Sequence, residues 1–241
     1  MSLEGKTVMV TGGGRRIGRH LALAIAQAGA DVIIHVGQAL AEGRQTAAEI
    51  LALGRRAWCL QADLNQPQAV EDLAARVFET APLFGLVNNA AIFEPLSLKG
   101  TSLDAWQRHM NINLTAPFLL TREFARYLPE SAEGRIVNIV DWRSLRPGSD
   151  HFPYTISKAA LAALTRASAQ SLAPRITVNG IALGAILPPA GSSDVSGIID
   201  RVPAGRWARL DEVSDAVLFF LTGPGYITGE ILHIDGGRHL V

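Results

Sequence analysis

Thr7-Val8-Met9-Val10-Thr11-Gly12-Gly13-Gly14-Arg15-Arg16-Ile17-Gly18 decides how the rest of the chain is read. Thr7–Val10 is a short apolar run, and Ile17–Ala28 after the glycines has helical spacing. Glycines between a strand and a helix are far more informative than glycines alone. They allow a tight turn and close approach of a pyrophosphate to the backbone. The helix start adds unpaired N–H groups and the positive end of a dipole. Gly12, Arg15, Arg16, Ile17 and Gly18 are therefore candidate cofactor contacts. The plainer alternative is an ordinary glycine-rich turn.

Outward from this loop, apolar runs recur at Val32–Val36, Ala57–Leu60, Leu86–Val87, Ile136–Val140, Ile176–Ile181 and Ile231–Ile234. With Thr7–Val10 they predict seven strands buried on both faces, as in a parallel sheet. Helical patterns lie between them at Ile17–Ala28, Ala39–Leu53, Pro67–Glu79, Leu103–Leu128, Tyr154–Ala173 and Asp211–Leu221. Strand and helix in alternation predict one doubly wound Rossmann-type α/β domain over residues 1–241, with helices flanking the sheet. The stretch Leu183–Arg209, rich in Pro, Gly and Ser, is long for a loop and reads as a cover over a substrate.

The chain has 241 residues, with 22 basic and 22 acidic side chains. Zero net charge argues against nucleic acid as a partner, because phosphate binding calls for clustered excess Lys and Arg. One cysteine, Cys59, excludes an intramolecular disulfide and a Cys-based zinc site, and no metal is expected. No apolar run is long enough to cross a bilayer, and the N-terminus lacks a secretory pattern. The expectation is a cytoplasmic protein acting on a small molecule.

The second strand ends at Ile34-His35-Val36-Gly37-Gln38 without the acid that holds an NAD ribose. Arg15 offers a positive charge for a 2′-phosphate, so NADPH is expected over NADH. Asp63, with Leu64 beside it, follows the third strand and is positioned for an adenine; helix capping explains it equally well. Tyr154 and Lys158 are four apart, on one helix face. An ammonium beside a phenol is expected to lower the phenol pKa toward that of a working acid–base catalyst.

Thr11–Gly18, Asn88-Asn89-Ala90, Asn113 and Tyr154-x-x-x-Lys158, in this order, resemble the short-chain dehydrogenase/reductase family. The resemblance runs the length of the chain, through Val178-Asn179 and Ile227-Thr228-Gly229 to Asp235-Gly236-Gly237. It implies hydride transfer between a nicotinamide and a carbonyl, imine or alcohol carbon. Tyr154 would carry the proton and Lys158 would hold the ribose. Asn113 would anchor a relay water, and Asn89, Ala90, Ala91 and Gly184 would line the cofactor. A homotetramer is also implied. Small residues along Tyr154–Ala173 permit close helix packing. Pro117 has no N–H for the Asn113 carbonyl, which points to a water there or to a simple kink.

Three positions depart from the family pattern. Arg16 replaces a loop glycine. Asp141 stands where the catalytic Ser belongs, thirteen residues before Tyr154. Ser144 comes three residues late, about 10 Å away on an extended chain. Leu183-Gly184-Ala185-Ile186-Leu187-Pro188 lacks the usual Pro and Thr after the sixth strand. Arg16 and Asp141 together are similar to the pteridine and dihydromonapterin reductases, and Phe93 matches the aromatic that stacks on the pterin there. Phe93, Arg16 and Asp141 are thus candidate substrate contacts. Ala91 and Ile92 replace hydroxyl residues of some members. Phe93 also reads as a core aromatic, and Asp141 as a partner of Arg16 or Arg143. The leading expectation is an NADPH-dependent reductase of a pterin-like C=N bond. The alternatives are a reductase of a carbonyl, such as a β-ketoacyl thioester or small ketone, and a nucleotide sensor without turnover. Tyr154 and Lys158 speak against the sensor.

Overall fold

The computed structural model describes residues 2–188 and 197–241. Seven strands form one parallel sheet: β1 (Thr7–Thr11), β2 (Asp31–Val36), β3 (Ala57–Gln61), β4 (Gly85–Asn88), β5 (Gly134–Asp141), β6 (Ile176–Leu183) and β7 (Ile231–Ile234). Their spatial order is β3-β2-β1-β4-β5-β6-β7. The helices are α1 (Arg16–Gln27), α2 (Leu40–Ala52), α3 (Pro67–Thr80), α4 (Leu103–Met110), α5 (Ala116–Tyr127), α6 (Phe152–Leu172) and α7 (Leu210–Thr222).

The two-residue period of a strand feeds both faces of the sheet. Val8, Val10, Val32 and Ile34 pack with Leu21 and Ile25 of α1, Ile50 of α2 and Val213 and Val217 of α7. Met9 and Ile33, between them in sequence, pack on the other face with Leu73 of α3 and Leu119 and Phe124 of α5. Burial on both sides is why these strands read as nearly continuous apolar runs. Strand order reverses between β1 and β4, so a crevice opens at their carboxyl ends.

Two local expectations are corrected. Leu103–Leu128 is not one helix. α4 ends at Met110, a π-helical turn covers Asn111–Thr115, and α5 starts at Ala116. Pro117 in the first turn of α5 is the cause. It cannot donate to residue 113, and its ring crowds that carbonyl, so the helix widens and Ala116 N–H reaches back to the Asn111 carbonyl. Ser144 is not strung away from Asp141 either. The chain turns through a 3₁₀ helix at Trp142–Ser144, and the buried Ser144 Oγ donates to the Asp141 carbonyl. Of the predicted cover at 183–209, β6 takes the start and a 3₁₀ turn forms at Ile199–Arg201. Positions 189–196 lie outside the described residues.

Candidate active site

The glycine-rich loop follows β1 at the crevice. Gly12 has φ +66°, and a Cβ there would come within 3.1 Å of the Ala90 backbone. A Cβ on Gly18 would lie 2.1 Å from the Gly12 carbonyl. These glycines let the loop press on the end of β4. Thr11 fastens the contact: its Oγ1 accepts from the N–H groups of Asn89 and Ala90, at 2.9 and 3.0 Å. Asn89 Nδ2 donates to the Thr11 carbonyl at 2.8 Å. The start of α1 has no side-chain cap and no acid in its first turn. Unpaired N–H groups facing a crevice fit an anionic dinucleotide. Ile17 is half-buried against the core, Leu64 is buried, and Ala91 is exposed beyond Ala90. Gly184 lies so close to Asp235 that a Cβ would meet its Cα at 2.6 Å.

His35, which sequence reasoning left without a role, braces this end of the sheet. Its Nδ1 accepts from Gly12 N–H at 3.3 Å, so the proton sits on Nε2, 3.1 Å from the Ala62 carbonyl. The imidazole thus ties the glycine-rich loop to the chain leaving β3. It is almost wholly buried, and burial lowers its pKa to about 4. Asp63, next along, is exposed and accepts from Asn65 N–H at 2.9 Å. That is a local turn rather than a cap of α3, whose N-cap is Gln66. Arg15 is exposed and pairs with Glu42 at 2.8 Å. This pair forms because α2 folds back toward the loop.

At the carboxyl end of β5, Tyr154 donates to Asp141 Oδ2 at 3.0 Å, with both side chains buried. The lowered phenol pKa is corrected. Burial raises the Tyr154 pKa well above its ordinary value, and the charge and hydrogen bond of Asp141 raise it further. Lys158 donates to the Ile139 carbonyl at 2.6 Å, and its ammonium lies 5.8 Å from the Tyr154 ring centre. Burial brings Lys158 down to about 8. Burial raises the Asp141 pKa, and Arg143 offsets this only in part. Arg143 donates its N–H to Asp141 Oδ1 at 2.9 Å, and its guanidinium is 3.6 Å from that carboxylate. Arg16 is not brought to Asp141. It sits at φ +49°, and its exposed guanidinium donates to the Pro188 carbonyl at 2.6 Å. The local turn at Trp142–Ser144 selects Arg143, two residues on from Asp141.

Phe93 is neither a core residue nor an unencumbered face. It is 41% exposed, stacked on His151 at 3.9 Å and 9°, and edge-on to Tyr154 at 4.7 Å. His151 precedes α6 in the left-handed region, at φ +50°. Asp150 accepts from Arg143 at 2.8 Å, which holds its carboxyl down to about 2. Asn113 is fully buried. Its side chain accepts from Ile92 N–H at 2.9 Å and donates to Ser157 Oγ at 3.0 Å, so it fixes the segment that carries Phe93. The fold therefore gathers Asp141, Tyr154, Lys158, Phe93 and Asn113, and adds Arg143, Asp150 and His151. Sequence reasoning named Arg143 only as a possible partner and missed Asp150 and His151. Their one visible sign was the short polar run Ser149-Asp150-His151, ahead of Phe152-Pro153-Tyr154.

Among the described residues no helix is long and apolar enough to cross a membrane, and no group of three or more His, Cys, Asp or Glu is placed to hold a metal. Residues 6–196 match the short chain dehydrogenase family. The chain is 36% identical to 2-dehydro-3-deoxy-D-gluconate 5-dehydrogenase of Bacillus subtilis, over 98% of this chain and 95% of the relative. It is 33% identical to the 3-oxoacyl-acyl-carrier-protein reductase of Escherichia coli over the full length of both. The fold superposes on the crystal structure of FolM alternative dihydrofolate reductase 1 from Brucella canis, complexed with NADP, with a TM-score of 0.92. That pair shares 36% identity over 100% of this chain and 97% of the other. Seven parallel strands, the glycine loop and the paired Tyr154 and Lys158 agree with these matches: the chain belongs to the short-chain dehydrogenase family and is an oxidoreductase.

Proposed function

We propose that this enzyme is an NADPH-dependent reductase of a pterin-like C=N bond. The observation that carries the reading is the buried bond between Tyr154 and a carboxyl, Asp141, where the family pattern has a hydroxyl. The FolM neighbour, named a dihydrofolate reductase and complexed with NADP, supports both substrate and cofactor. A nicotinamide held in the crevice would supply the hydride. Tyr154 delivers a proton to the substrate nitrogen. Burial favours the protonated form of Asp141, and a protonated Oδ2 can donate to the phenol oxygen and restore its proton. Lys158, as a buried cation, stabilises charge on that oxygen and is positioned for the ribose. Phe93 offers its exposed face to a flat ring, with His151 behind it.

In this reading Gly12, Arg15, Arg16, Ile17, Gly18, Asp63, Leu64, Asn89, Ala90, Ala91 and Gly184 hold the dinucleotide. Arg16, which bonds to Pro188, joins the phosphate loop to the start of the 183–209 cover. The enzyme works in the cytoplasm as a homotetramer. Exposed Leu103, Phe118 and Tyr127 on α4 and α5 support self-association, as does the sheet edge at β7. A second reading, reduction of a carbonyl such as a β-ketoacyl thioester, is favoured by the Escherichia coli relative. Following NADPH oxidation with dihydropterins and β-ketoacyl thioesters in parallel separates the two. Turnover of the thioesters alone overturns the first.

A further inference from the structure

A group of arginines lies beside this site. Trp142 follows Asp141 directly, and the guanidinium of Arg238 sits 4.7 Å from its ring centre. Arg143 sits 4.8 Å from the same ring. The turn at Trp142–Ser144 packs against the C-terminal turn Arg238–Leu240, which brings the end of the chain to the candidate site. Arg238 Nη1 donates to the Arg201 carbonyl at 3.0 Å, and Arg146 donates to the Val241 carbonyl. Between them is a cavity of about 400 Å³ lined by Asp200, Arg201, Val202, Pro203, Arg238 and Val241.

The charges in this group are unevenly matched. Arg143 has Asp141 and Asp150. Among the described residues, Arg201 and Arg238 have no carboxylate within ion-pair distance. Asp200 and the last residue, Val241, line the same cavity. Burial lowers the Arg238 pKa, and the like charges of Arg201, Arg143 and Arg146 lower it further. Gathering cations that repel one another is unfavourable unless an anion joins them. A guanidinium laid on an indole face is also held in plane, ready for two parallel bonds to a carboxylate or phosphate.

We propose that Arg238, laid on Trp142, and Arg201, beside it in the cavity, form a subsite for an anionic arm of the substrate, a carboxylate or a phosphate remote from the reducible bond. The proposal rests on the reductase reading above and narrows it. A bare neutral pterin offers these cations nothing to bond, whereas a heterocycle with a carboxylate tail engages them.

Two probe pairs test it: dihydrobiopterin against dihydrofolate, and ethyl acetoacetate against acetoacetyl-CoA. Steady-state NADPH oxidation gives kcat/KM for each, and calorimetry on the NADP⁺-loaded protein gives binding without turnover. In each pair that is reduced, the ratio of anionic to neutral kcat/KM should fall about tenfold in Arg238→Ala, the scale of a lost charge-assisted bond. Arg201→Ala should act in the same direction, Arg238→Lys should recover part of the ratio, and added NaCl should lower it in the parent. Loss in the dihydrofolate arm alone assigns the subsite to carboxylates; loss in the CoA arm alone assigns it to phosphates. An unchanged ratio in both pairs, or no binding by either anionic probe, overturns the subsite. If only the ketone pair is reduced and its ratio falls, the C=N reading fails while the subsite stands. If dihydropterins are reduced and the ratios do not move, the reverse holds.

Discussion

At the residue scale, Asp141 differs from a serine in being able to replace a proton. In Asp141→Ser, pterin turnover should fall by a factor on the order of 10², the usual scale for a positioned acid. Turnover of a simple ketone should fall much less, because the variant restores the family's serine. Parallel kcat measurements on both substrates check this, and equal losses would remove the special role of the carboxyl. Arg15 carries a second prediction. Glu42 holds it at 2.8 Å and competes with any 2′-phosphate for the guanidinium. An exposed pair of this kind contributes at most about 1 kcal/mol, so Glu42→Gln should tighten NADPH up to about fivefold relative to NADH. Arg15→Ala should erode the preference. Dissociation constants for both cofactors decide it; equal values in the parent refute the preference outright.

At the scale of elements, the glycine-rich loop, α1 and the end of β4 act as one unit because glycines let them touch. A methyl at position 18 would lie 2.1 Å from the Gly12 carbonyl and 2.6 Å from Asn89 Nδ2. The carbonyl is backbone, fixed at both its oxygen and its carbon, and cannot swing aside, so α1 must move. Gly18→Ala should weaken NADPH binding at least tenfold and cost about 1–3 kcal/mol of stability, as overpacking does. Titration of cofactor fluorescence and a urea melt measure the two effects. Unaltered binding would mean that the loop does not hold the dinucleotide. The glycines, Tyr154 and Lys158 were legible in the sequence because each is a short-range signal on one element. The π-turn was not, although its cause was visible. Pro117 dictates that the helix is perturbed, but packing of α4 and α6 around Asn113 chooses how.

For the whole molecule, His35 couples the loop to pH. Its folded-state pKa of about 4 lies below its ordinary value of 6.5. Between these values the unfolded chain takes up a proton that the folded one refuses. Its contribution is therefore complete above about 6.5 and is lost as pH falls toward 4, with a slope of up to about 1.4 kcal/mol per pH unit. Urea midpoints across this window should fall in the parent, and more shallowly in His35→Gln. Identical slopes would show that His35 does not carry the proton linkage. Assembly is the other molecular-scale prediction. Light scattering at micromolar concentration should give a tetramer, and a stable monomer would defeat the proposal.

The alternation of apolar runs with helical patterns determined the sheet, its parallel sense and the position of the glycine loop, because each depends on spacing along the chain. The same holds for the pairing of Tyr154 with Lys158. Electrostatic partners are different, since they depend on which loops the fold brings together. From the sequence, Arg16 and Arg143 were both candidates for Asp141, and Phe93 had no visible neighbour. The turn at Trp142–Ser144 and the left-handed His151 decided that Arg143 meets the carboxyl and that an imidazole backs the Phe93 ring. Burial then reversed the expected direction of the Tyr154 pKa. Desolvation is set by the packed interior around a group, and no short stretch of sequence specifies it.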